Sequence, residues 1–354
     1  MSAPIAHGGG ITAAAAAFGG RPQDWLDLST GINPCPLALP EIPTRAWHRL
    51  PDSYLVDEAR RAARVYYGSG AILPLPVPGT QSVIQLLPRL LRQGRQLGVT
   101  DDRVAATDAK VAATDNRIAV VSPTYGEYAR AFASAGFAVD AVDDIAAIGG
   151  HYRLVVVVNP NNPDGRTWPA EALAALHDRM KSANGLLVVD EAFADADPAL
   201  SLAARAQELP NLIILRSFGK FFGLAGLRLG FAIAREDILA RFEDWLGPWA
   251  VSGPALSLAA SLLGSDVAGI RRFLDERSAA LQAALSAAGL RSRGGTALFT
   301  LVADSRASDI YTHLCRHHIL VRKFDYAPDW LRFGLTPDPA ADRRLGAALQ
   351  GFER

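Results

Sequence analysis

The strongest constraint on the fold is a series of short, continuous apolar runs that alternate with helical patterns. The runs are RIAVVSP (117–123), FAVDAV (137–142), YRLVVVVNP (152–160), GLLVVDEA (185–192), NLIILRS (211–217) and LGFAIA (229–234). Continuous runs rich in β-branched residues are typical of strands that are buried on both faces. The order therefore predicts a mostly parallel sheet wound by helices.

The segments between these runs have helical patterns. YGEYARAFASAG follows the first run, and PAEALAALHDRMKSANG begins after Pro169 and ends near Gly185, as helices tend to. Strands that alternate with helices build a wound α/β domain, and we assign residues 45–250 to it.

Beyond PWAVSGPA (248–255) the pattern changes. A long alanine-rich helical stretch is predicted over 256–288, followed by the strands TALFTLVA and WLRFGL and a helix over about 305–317. We expect residues 251–354, with an N-terminal arm of residues 1–44, to form a smaller α+β domain. A length of 354 residues suits this division.

Composition narrows the class of partner. Lysine plus arginine number 36 and aspartate plus glutamate 36, so no basic surface for nucleic acid or an anionic membrane is expected. A small-molecule partner is the better prediction. Cys35 and Cys315 fit no disulfide or metal pattern, and Ala13–Ala17 begins a helix instead of belonging to a secretory signal. No apolar run of 18 residues occurs, and we expect a cytoplasmic protein.

A repeat with a period of seven residues interrupts the α/β pattern. VTDDR at Val99 is followed by VAATDAK at Val104 and VAATDNR at Val111. This period is compatible with a short coiled coil, but alanine and threonine would make a poor seam. We favour an expanded surface loop or a helix extension.

Four polar clusters fall at the carboxyl ends of predicted strands or in the turns after them, where open α/β sheets bind ligands. In VPGTQSVIQLL, the residues Gly79, Thr80 and Gln81 open a helix whose free N–H groups suit a phosphate. An ordinary helix cap explains them equally well. In SPTYGEY, the ring of Tyr125 either stacks on a flat heteroaromatic ligand or packs as an ordinary tyrosine.

The other two clusters follow neighbouring apolar runs. In VVNPNNPDG, Asn162 is positioned to donate a hydrogen bond to a ligand oxygen, although the same residues also make an ordinary turn. In VVDEAFAD, Asp190 leaves an apolar strand. A carboxylate in that position needs a donor or a cation, which either a protonated ring nitrogen or an ion pair would supply.

SFGKFFGLAGLRLG carries a lysine and an arginine in an otherwise apolar run, and such cations are seldom buried without a partner. Lys220 is able to form an imine with a carbonyl group, and Ser217 with Arg228 suits a phosphate. Asn162, Asp190 and Lys220 follow one another at intervals of 28 and 30 residues. The set matches the usual protein equipment for pyridoxal phosphate.

These motifs resemble those of the class I/II aminotransferases, which are fold-type I pyridoxal-phosphate enzymes, across nearly the whole chain. The family's N-P-x-N-P-x-G turn stands here as NPNNPDG, its D-E-A-[YF] strand end as DEAF, and its S-x-x-K-x(7)-R signature as SFGKFFGLAGLR. The resemblance implies a large α/β domain with a mostly parallel sheet of the seven-stranded type, a small α+β domain and a homodimer.

The resemblance also assigns roles to the residues. Lys220 would be the catalytic residue that links covalently to pyridoxal 5'-phosphate, Asp190 would face the pyridine nitrogen and Asn162 the ring hydroxyl. Arg332, in LRFGL, would grip the α-carboxylate of the substrate with its planar fork. Tyr125 would stack on the ring, and the cofactor phosphate would be held by Gly79, Thr80, Gln81, Ser217 and Arg228.

Two positions depart from the family pattern. Phe193 stands where many aminotransferases carry tyrosine, so one hydrogen bond to a cofactor oxygen is absent. The aromatic residue of the common Y-P-[DE] motif, which reaches the phosphate in the neighbouring subunit, is Leu50 in LPDSY. Tyr54 is the candidate to replace it.

Within the family, the ends of the chain are most similar to the branch that decarboxylates O-phospho-L-threonine to (R)-1-aminopropan-2-yl phosphate in cobalamin biosynthesis. The segments that carry this resemblance are HGG at His7, WLDLSTGINPCPLALP at Trp25 and the helix VPGTQSVIQLLP. The other six histidines have no metal-ligand spacing, and we expect surface or packing roles for them. The resemblance implies that the substrate phosphate is held by His7, Ser29, Thr30, Asn33 and Arg322.

Two other functions stay open. A histidinol-phosphate-type aminotransferase would share the fold, the cofactor and a phosphorylated amine substrate, but Phe193 and the HGG and STGINP segments favour the decarboxylase. A binding or regulatory module would keep the fold without catalysis, and the intact lysine, aspartate and arginine argue against it. Substrate pose decides between decarboxylation and transamination, because the bond held perpendicular to the cofactor ring is the one that breaks.

Overall fold

The structure, a computed structural model, describes residues 5, 7–35, 38–94 and 116–352. The seven-residue repeat at 99–117 lies outside the described residues except for its last two, Asn116 and Arg117. The strands are β1 (Leu26–Leu28), β2 (Leu75–Val77), β3 (Arg117–Val121), β4 (Ala138–Val142), β5 (Leu154–Val158), β6 (Leu186–Asp190), β7 (Leu212–Ser217), β8 (Gly230–Ala234), β9 (Ser292–Thr296), β10 (Phe299–Ala303), β11 (Ile319–Phe324) and β12 (Ala327–Gly334). The six apolar runs of the sequence coincide with β3 to β8, so these six strand predictions are confirmed.

Helices connect and cover the strands. Short 3₁₀ turns occur at Pro22–Asp24, Ile145–Ala147, Pro198–Leu200, Ala203–Glu208 and Ala225–Leu227. The α-helices span Ile11–Phe18, Thr44–His48, Ser53–Tyr67, Thr80–Gly94, Glu127–Ser134, Ala170–Ser182, Phe218–Phe221, Glu236–Leu246, Gly253–Leu263, Ala268–Ala287, Ala307–Arg316 and Pro339–Gln350.

Seven strands form one sheet in the order β2-β8-β7-β6-β5-β3-β4. Its central strands are buried on both faces. Successive side chains point in opposite directions and therefore join different cores. Val155, Val157 and Val189 belong to the core on one face, whereas Val156 and Val188 belong to the core on the other. This arrangement confirms the predicted α/β class and explains why these runs are continuously apolar.

The seven-stranded sheet contains one reversed strand. β3 to β7 are parallel to one another, whereas β8 is antiparallel to both β7 and β2. The pairings Val77↔Gly230 and Ser217↔Gly230 show that β8 begins at the edge where β2 and β7 end. Residues just before β8 therefore lie at the same edge as residues that follow the other strands, which brings Arg228 close to Thr80.

A second sheet has five strands in the order β1-β11-β12-β10-β9. β1 is parallel to β11, and the N-terminal arm thereby joins the C-terminal strands, as the sequence predicts. β11 and β12 are antiparallel, with Arg322 directly opposite Arg332. The proposed domain boundaries themselves stay a prediction.

The helical stretch predicted over 256–288 is helical in the structure but is divided into two helices. Two helices, Gly253–Leu263 and Ala268–Ala287, meet there at 90°. The first ends at Gly264, and the Asp266 carboxylate accepts a hydrogen bond from the backbone N–H of Ala268 at 2.9 Å. A glycine favours the end of a helix and an aspartate favours a turn, and these local signals override the alanine-rich composition.

No single helix in the described part of the chain has the length and hydropathy needed to cross a membrane; only this bent pair passes such a test, by length and composition together.

The two sheets meet through main-chain atoms. In the turn after β5, a Cβ added to Gly165 would lie 1.9 Å from the carbonyl oxygen of Gly295. A Cβ added to Gly294 would lie 2.2 Å from the carbonyl oxygen of Asp164. Glycine is needed at these positions because no side chain fits between the turn and β9.

Candidate active site

A cavity of about 150 Å³ opens at the carboxyl edge of the seven-stranded sheet. All nine residues that the sequence analysis assigned to catalysis or to the cofactor line it, together with apolar residues such as Phe193 and Leu229. The nine are Gly79, Thr80, Gln81, Tyr125, Asn162, Asp190, Ser217, Lys220 and Arg228. The structure therefore brings the predicted set together, while the role of each residue stays a prediction.

Asp190 is the last residue of β6 and only 4% exposed. Its Oδ2 accepts a hydrogen bond from the hydroxyl of Tyr128 at 2.8 Å, and its Oδ1 accepts one from the N–H of Ala192 at 3.0 Å. Burial raises the pKa of Asp190 to about 6, although both hydrogen bonds and the nearby Lys220 favour the carboxylate. A buried carboxylate of this kind is suited to a cationic ring nitrogen.

Lys220 lies in the short helix Phe218–Phe221 that follows β7. Burial lowers the pKa of its amine to about 8, the positive charge of Arg332 lowers it further, and Asp190 opposes both effects. The Nζ atom lies 5.8 Å from the ring centre of Phe193. A lysine with a pKa near neutrality is able to act as a nucleophile and to exchange a proton at physiological pH.

The residues predicted to hold a phosphate surround the start of the helix Thr80–Gly94. Gly79 has a φ of +73°, and a Cβ there would lie 2.8 Å from an Nη of Arg228. A Cβ on Gly230 would lie 2.9 Å from the methyl group of Thr80. The glycines thus let Arg228 and the first N–H groups of the helix approach one small volume, which suits an anion.

Asn162 and Arg332 join the two sheets beside this cavity. One Nη of Arg332 donates to Oδ1 of Asn162, and the other donates to the carbonyl oxygen of Ser29 at 2.8 Å. The guanidinium lies 4.9 Å from the ring centre of Phe299. Because the oxygen of the Asn162 amide is used by Arg332, its NH₂ group is the part left to donate to a ligand.

Arg332 is buried, and its Nε has no hydrogen-bond partner among the described residues. Burial lowers the pKa of its guanidinium to about 10, and the charge of Arg322 lowers it further. Burial likewise lowers the pKa of Arg322. Two like charges directly opposite each other on neighbouring strands repel, so an anion bound near both would relieve the repulsion.

The residues predicted to hold the substrate phosphate have varied surroundings. The Ser29 hydroxyl donates to Asp27 at 2.6 Å and accepts from the N–H of Gly9 at 2.7 Å. The Asn33 amide donates to the carbonyl of Phe221 at 2.9 Å and accepts from Cys35 at 2.9 Å, which ties this loop to the segment of Lys220.

His7 and Thr30 complete that predicted set. His7 is exposed, and its Nε2 lies 2.9 Å from the carboxylate of Glu127, beside Tyr125. The Thr30 backbone runs past β12, with its carbonyl oxygen 2.2 Å from where a Cβ on Gly334 would lie. Of the five predicted residues, Arg322 and Ser29 lie against Arg332, whereas His7 lies on the opposite, Tyr125 side of the cavity.

Tyr128 and Glu127 were not predicted from the sequence as site residues. Tyr128 is fully buried in the first turn of the helix Glu127–Ser134, and its hydroxyl donates to Asp190. Its place just after the strand-end turn that carries Tyr125 is the signal that could have indicated it. Tyr54, the proposed cross-subunit residue, lies under Arg45, whose guanidinium is 4.2 Å from its ring centre.

The family model for aminotransferase class I and II matches residues 23–349. The chain belongs to this family. It is 58% identical over its whole length, and that of the relative, to a threonine-phosphate decarboxylase of Sinorhizobium sp. It is 42% identical to a threonine-phosphate decarboxylase of Pseudomonas aeruginosa, over 99% of this chain and 98% of the relative.

A solved structure in this family has the same fold. The histidinol-phosphate aminotransferase from Sinorhizobium meliloti, in complex with pyridoxal-5'-phosphate, superposes with a TM-score of 0.77 and 20% identity. The match covers 98% of this chain and 94% of that structure. The fold-type I architecture predicted from the motifs is therefore confirmed.

Proposed function

We propose that the protein decarboxylates O-phospho-L-threonine to (R)-1-aminopropan-2-yl phosphate, with pyridoxal 5'-phosphate as cofactor, in cobalamin biosynthesis. The observation that carries the proposal is the pair of opposed arginines, Arg322 and Arg332, beside the cavity that contains Lys220. Two arginines at paired positions of neighbouring strands suit a small molecule with two anionic groups, a carboxylate and a phosphate. The two full-length relatives named threonine-phosphate decarboxylase support the same substrate.

The cavity fits the cofactor by three tests. The buried Asp190 carboxylate suits a protonated pyridine nitrogen, and the partly buried Lys220 amine suits the aldehyde. Gly79 has no side chain, which leaves a volume beside Arg228 that a single methyl group would fill. This volume suits the cofactor phosphate. We therefore assign Thr80, Gln81, Ser217 and Arg228 to the phosphate, Asn162 to the ring hydroxyl and Tyr125 to the ring face.

Pyridoxal phosphate, when bound, supplies a ring that accepts the electron pair released when a bond to the substrate's α-carbon breaks. In this proposal Asp190 keeps the ring nitrogen protonated, and Arg332 holds the α-carboxylate so that carbon dioxide is the group that leaves. The amine of Lys220 then delivers a proton to the α-carbon. Phe193 and Phe299, packed edge to face at 5.2 Å, provide an apolar wall that limits access of water.

A histidinol-phosphate-type aminotransferase is the second candidate. The fold match to a histidinol-phosphate aminotransferase favours it, and the same residues would hold the same cofactor. It would require the α-hydrogen, and not the carboxylate, to lie perpendicular to the ring. Arg332 is the residue that decides between these poses.

The proposal includes a homodimer in the cytoplasm. Trp47, Leu50 and Trp249 are more than half exposed, and Pro51 and Trp249 line one groove of about 280 Å³. Exposed apolar residues of this size are typical of protein interfaces. The two cysteines, Cys35 and Cys315, are too few for the disulfide framework of a small secreted domain.

The test is incubation of the cofactor-loaded protein with O-phospho-L-threonine without any keto acid, followed by mass spectrometry. The proposal expects one carbon dioxide and one 1-aminopropan-2-yl phosphate for each substrate consumed. Turnover of histidinol phosphate only after 2-oxoglutarate is added would instead support the aminotransferase. Lys220→Ala should yield neither product nor a borohydride-reducible link, whereas the exposed Lys181→Ala serves as the matched control.

A further inference from the structure

Glu127 is a buried carboxylate that no step of the proposed reaction uses. It is 5% exposed and does not line the cavity. Carboxylates are rarely buried unless they are paired or hydrogen-bonded. Glu127 is the first residue of the helix Glu127–Ser134, where the helix dipole favours a negative charge.

Three side chains converge on this carboxylate from three parts of the chain. Oε1 lies 2.9 Å from Nε2 of His7 in the N-terminal arm and 3.5 Å from an Nη of Arg130 in its own helix. Oε2 accepts a hydrogen bond from Nε2 of Gln81 at 3.2 Å. Glu127 thus joins the N-terminal arm to the first turn of the helix Thr80–Gly94.

The Gln81 amide connects Glu127 to the cavity wall. An ionised carboxylate only accepts hydrogen bonds, so it fixes the Gln81 NH₂ group toward itself and the Gln81 carbonyl away. That carbonyl accepts from the hydroxyl of Tyr125 at 3.1 Å. A carboxylate outside the cavity is therefore linked to the Tyr125 hydroxyl through a single side-chain amide.

The same carboxylate holds the N-terminal arm. The ring of His7 lies 5.9 Å from that of Tyr125, and a Cβ on Gly126 would lie 3.1 Å from the side chain of Ile5. Two residues further on, the N–H of Gly9 donates to Ser29, whose carbonyl oxygen accepts from Arg332. The arm thus runs from the Tyr125 side of the cavity to the Arg332 side.

We propose that Glu127 is a positioning residue that sets the Tyr125 ring through Gln81 and fastens the N-terminal arm across the cavity through His7. One carboxylate thereby holds both the arm, through His7, and the cavity wall, through Gln81. The part that concerns the cofactor rests on the proposed function. The part that concerns the arm does not.

The test compares Glu127→Gln with Glu236→Gln, which changes the exposed first residue of another helix. In the apoprotein, hydrogen exchange of the backbone amides in the peptide that contains residues 7–10 should be faster in Glu127→Gln than in the wild type and the control. Because this measurement needs no cofactor, it decides the inference about the arm whether or not the wild type binds pyridoxal phosphate. Equal exchange in all three proteins would overturn it.

The second readout is binding of pyridoxal phosphate, followed by absorbance and by circular dichroism in the cofactor band. Glu127→Gln should weaken binding about tenfold and change the dichroic band, because the Gln81 amide is no longer fixed. His7→Ala should speed exchange in the arm but leave cofactor binding unchanged, since the bonds from Glu127 to Gln81 to Tyr125 remain. Unchanged binding and dichroism in Glu127→Gln would overturn the link to Tyr125, and failure of the wild type to bind would overturn the proposed function instead.

Discussion

Arg216 and Arg332 are both buried arginines on strands near the cavity, but their surroundings are opposite. Arg216 donates to Oε2 of Glu191 at 2.6 Å and to Oδ1 of Asp195 at 2.7 Å, and both carboxylates are buried. Arg332 has two neutral oxygens as acceptors and faces the guanidinium of Arg322. In the described part of the chain, it makes no ion pair with a carboxylate.

The pKa values follow this difference. Burial acts to lower the pKa of Arg216, but the charges of Asp195 and Glu191 outweigh it, and the net shift is upward. Burial lowers the pKa of Arg332 to about 10, and Arg322 adds to that shift. An arginine that is neutralised inside the protein supports the fold, whereas one whose charge is left uncompensated at a cavity is prepared for an anionic ligand.

The largest expected effect is on the paired arginine. Arg216→Met leaves Glu191 and Asp195 buried without a cation, and we expect a loss of about 3–5 kcal/mol in the free energy of unfolding. Urea denaturation of the apoprotein measures it. Arg343→Met, on an exposed helix face, is the control and should change stability by no more than about 0.5 kcal/mol. If Arg216→Met changed stability by so little, the buried carboxylates of Glu191 and Asp195 would not depend on this arginine.

The next largest effect is expected at Arg332 and should appear in catalysis. Arg332→Lys keeps a cation but loses the planar fork, and we expect kcat/KM for O-phospho-L-threonine to fall by about 10²–10³-fold. The free energy of unfolding of the apoprotein should change by less than about 1 kcal/mol, because the variant keeps an equally unneutralised charge. Steady-state kinetics and urea denaturation separate the two. An unchanged kcat/KM together with a lower free energy of unfolding would show that Arg332 stabilises the fold and does not bind the substrate.

Asp190 should make the stability of the apoprotein depend on pH. Its folded pKa of about 6 exceeds the unfolded value of about 3.9, so the folded apoprotein holds the extra proton. Stability from this group is therefore present at about pH 4 and is lost as pH rises to about 6, by about 2–3 kcal/mol. Asp190→Asn should abolish that component, measured as the difference between the two unfolding curves. If the free energies of unfolding of the wild type and of Asp190→Asn changed with pH in the same way, the prediction would be wrong.

The smallest effect is expected at Arg322. If this residue binds the substrate phosphate, Arg322→Gln should raise KM for O-phospho-L-threonine by about tenfold with little change in kcat. Binding of pyridoxal phosphate should be unaffected, and an equilibrium titration serves as the control. A fall in kcat at constant KM would show instead that Arg322 acts on the reacting groups together with Arg332.

The sequence predicted the cavity well because the carboxyl ends of parallel strands meet at one edge. Asn162, Asp190 and Lys220 follow three neighbouring strands, so their apolar runs and spacing were enough to bring them together. Arg228 lies before a reversed strand, which the apolar pattern does not distinguish from a parallel one. Its position was predicted by the motif alone.

Contacts between distant segments could not be predicted in the same way. Glu191 and Arg216 are visible in the apolar runs, but they meet because β6 pairs with β7 in the register Asp190↔Leu215. His7 and Glu127 are 120 residues apart, and no local pattern links them. The break between the helices at Gly264 was missed because alanine-rich composition on both sides concealed a glycine stop signal.

The glycine contact between the turn after β5 and β9 contains no side chain, and hence no rotamer that could change. The gap between the two sheets at this point is therefore limited by the van der Waals radii of main-chain atoms. Asn162 and Arg332 bond across the same junction. A single methyl group at Gly165 or Gly294 would act as a spacer between the turn and β9, so the approach of Asn162 to Arg332 is limited by residues that have no functional group of their own.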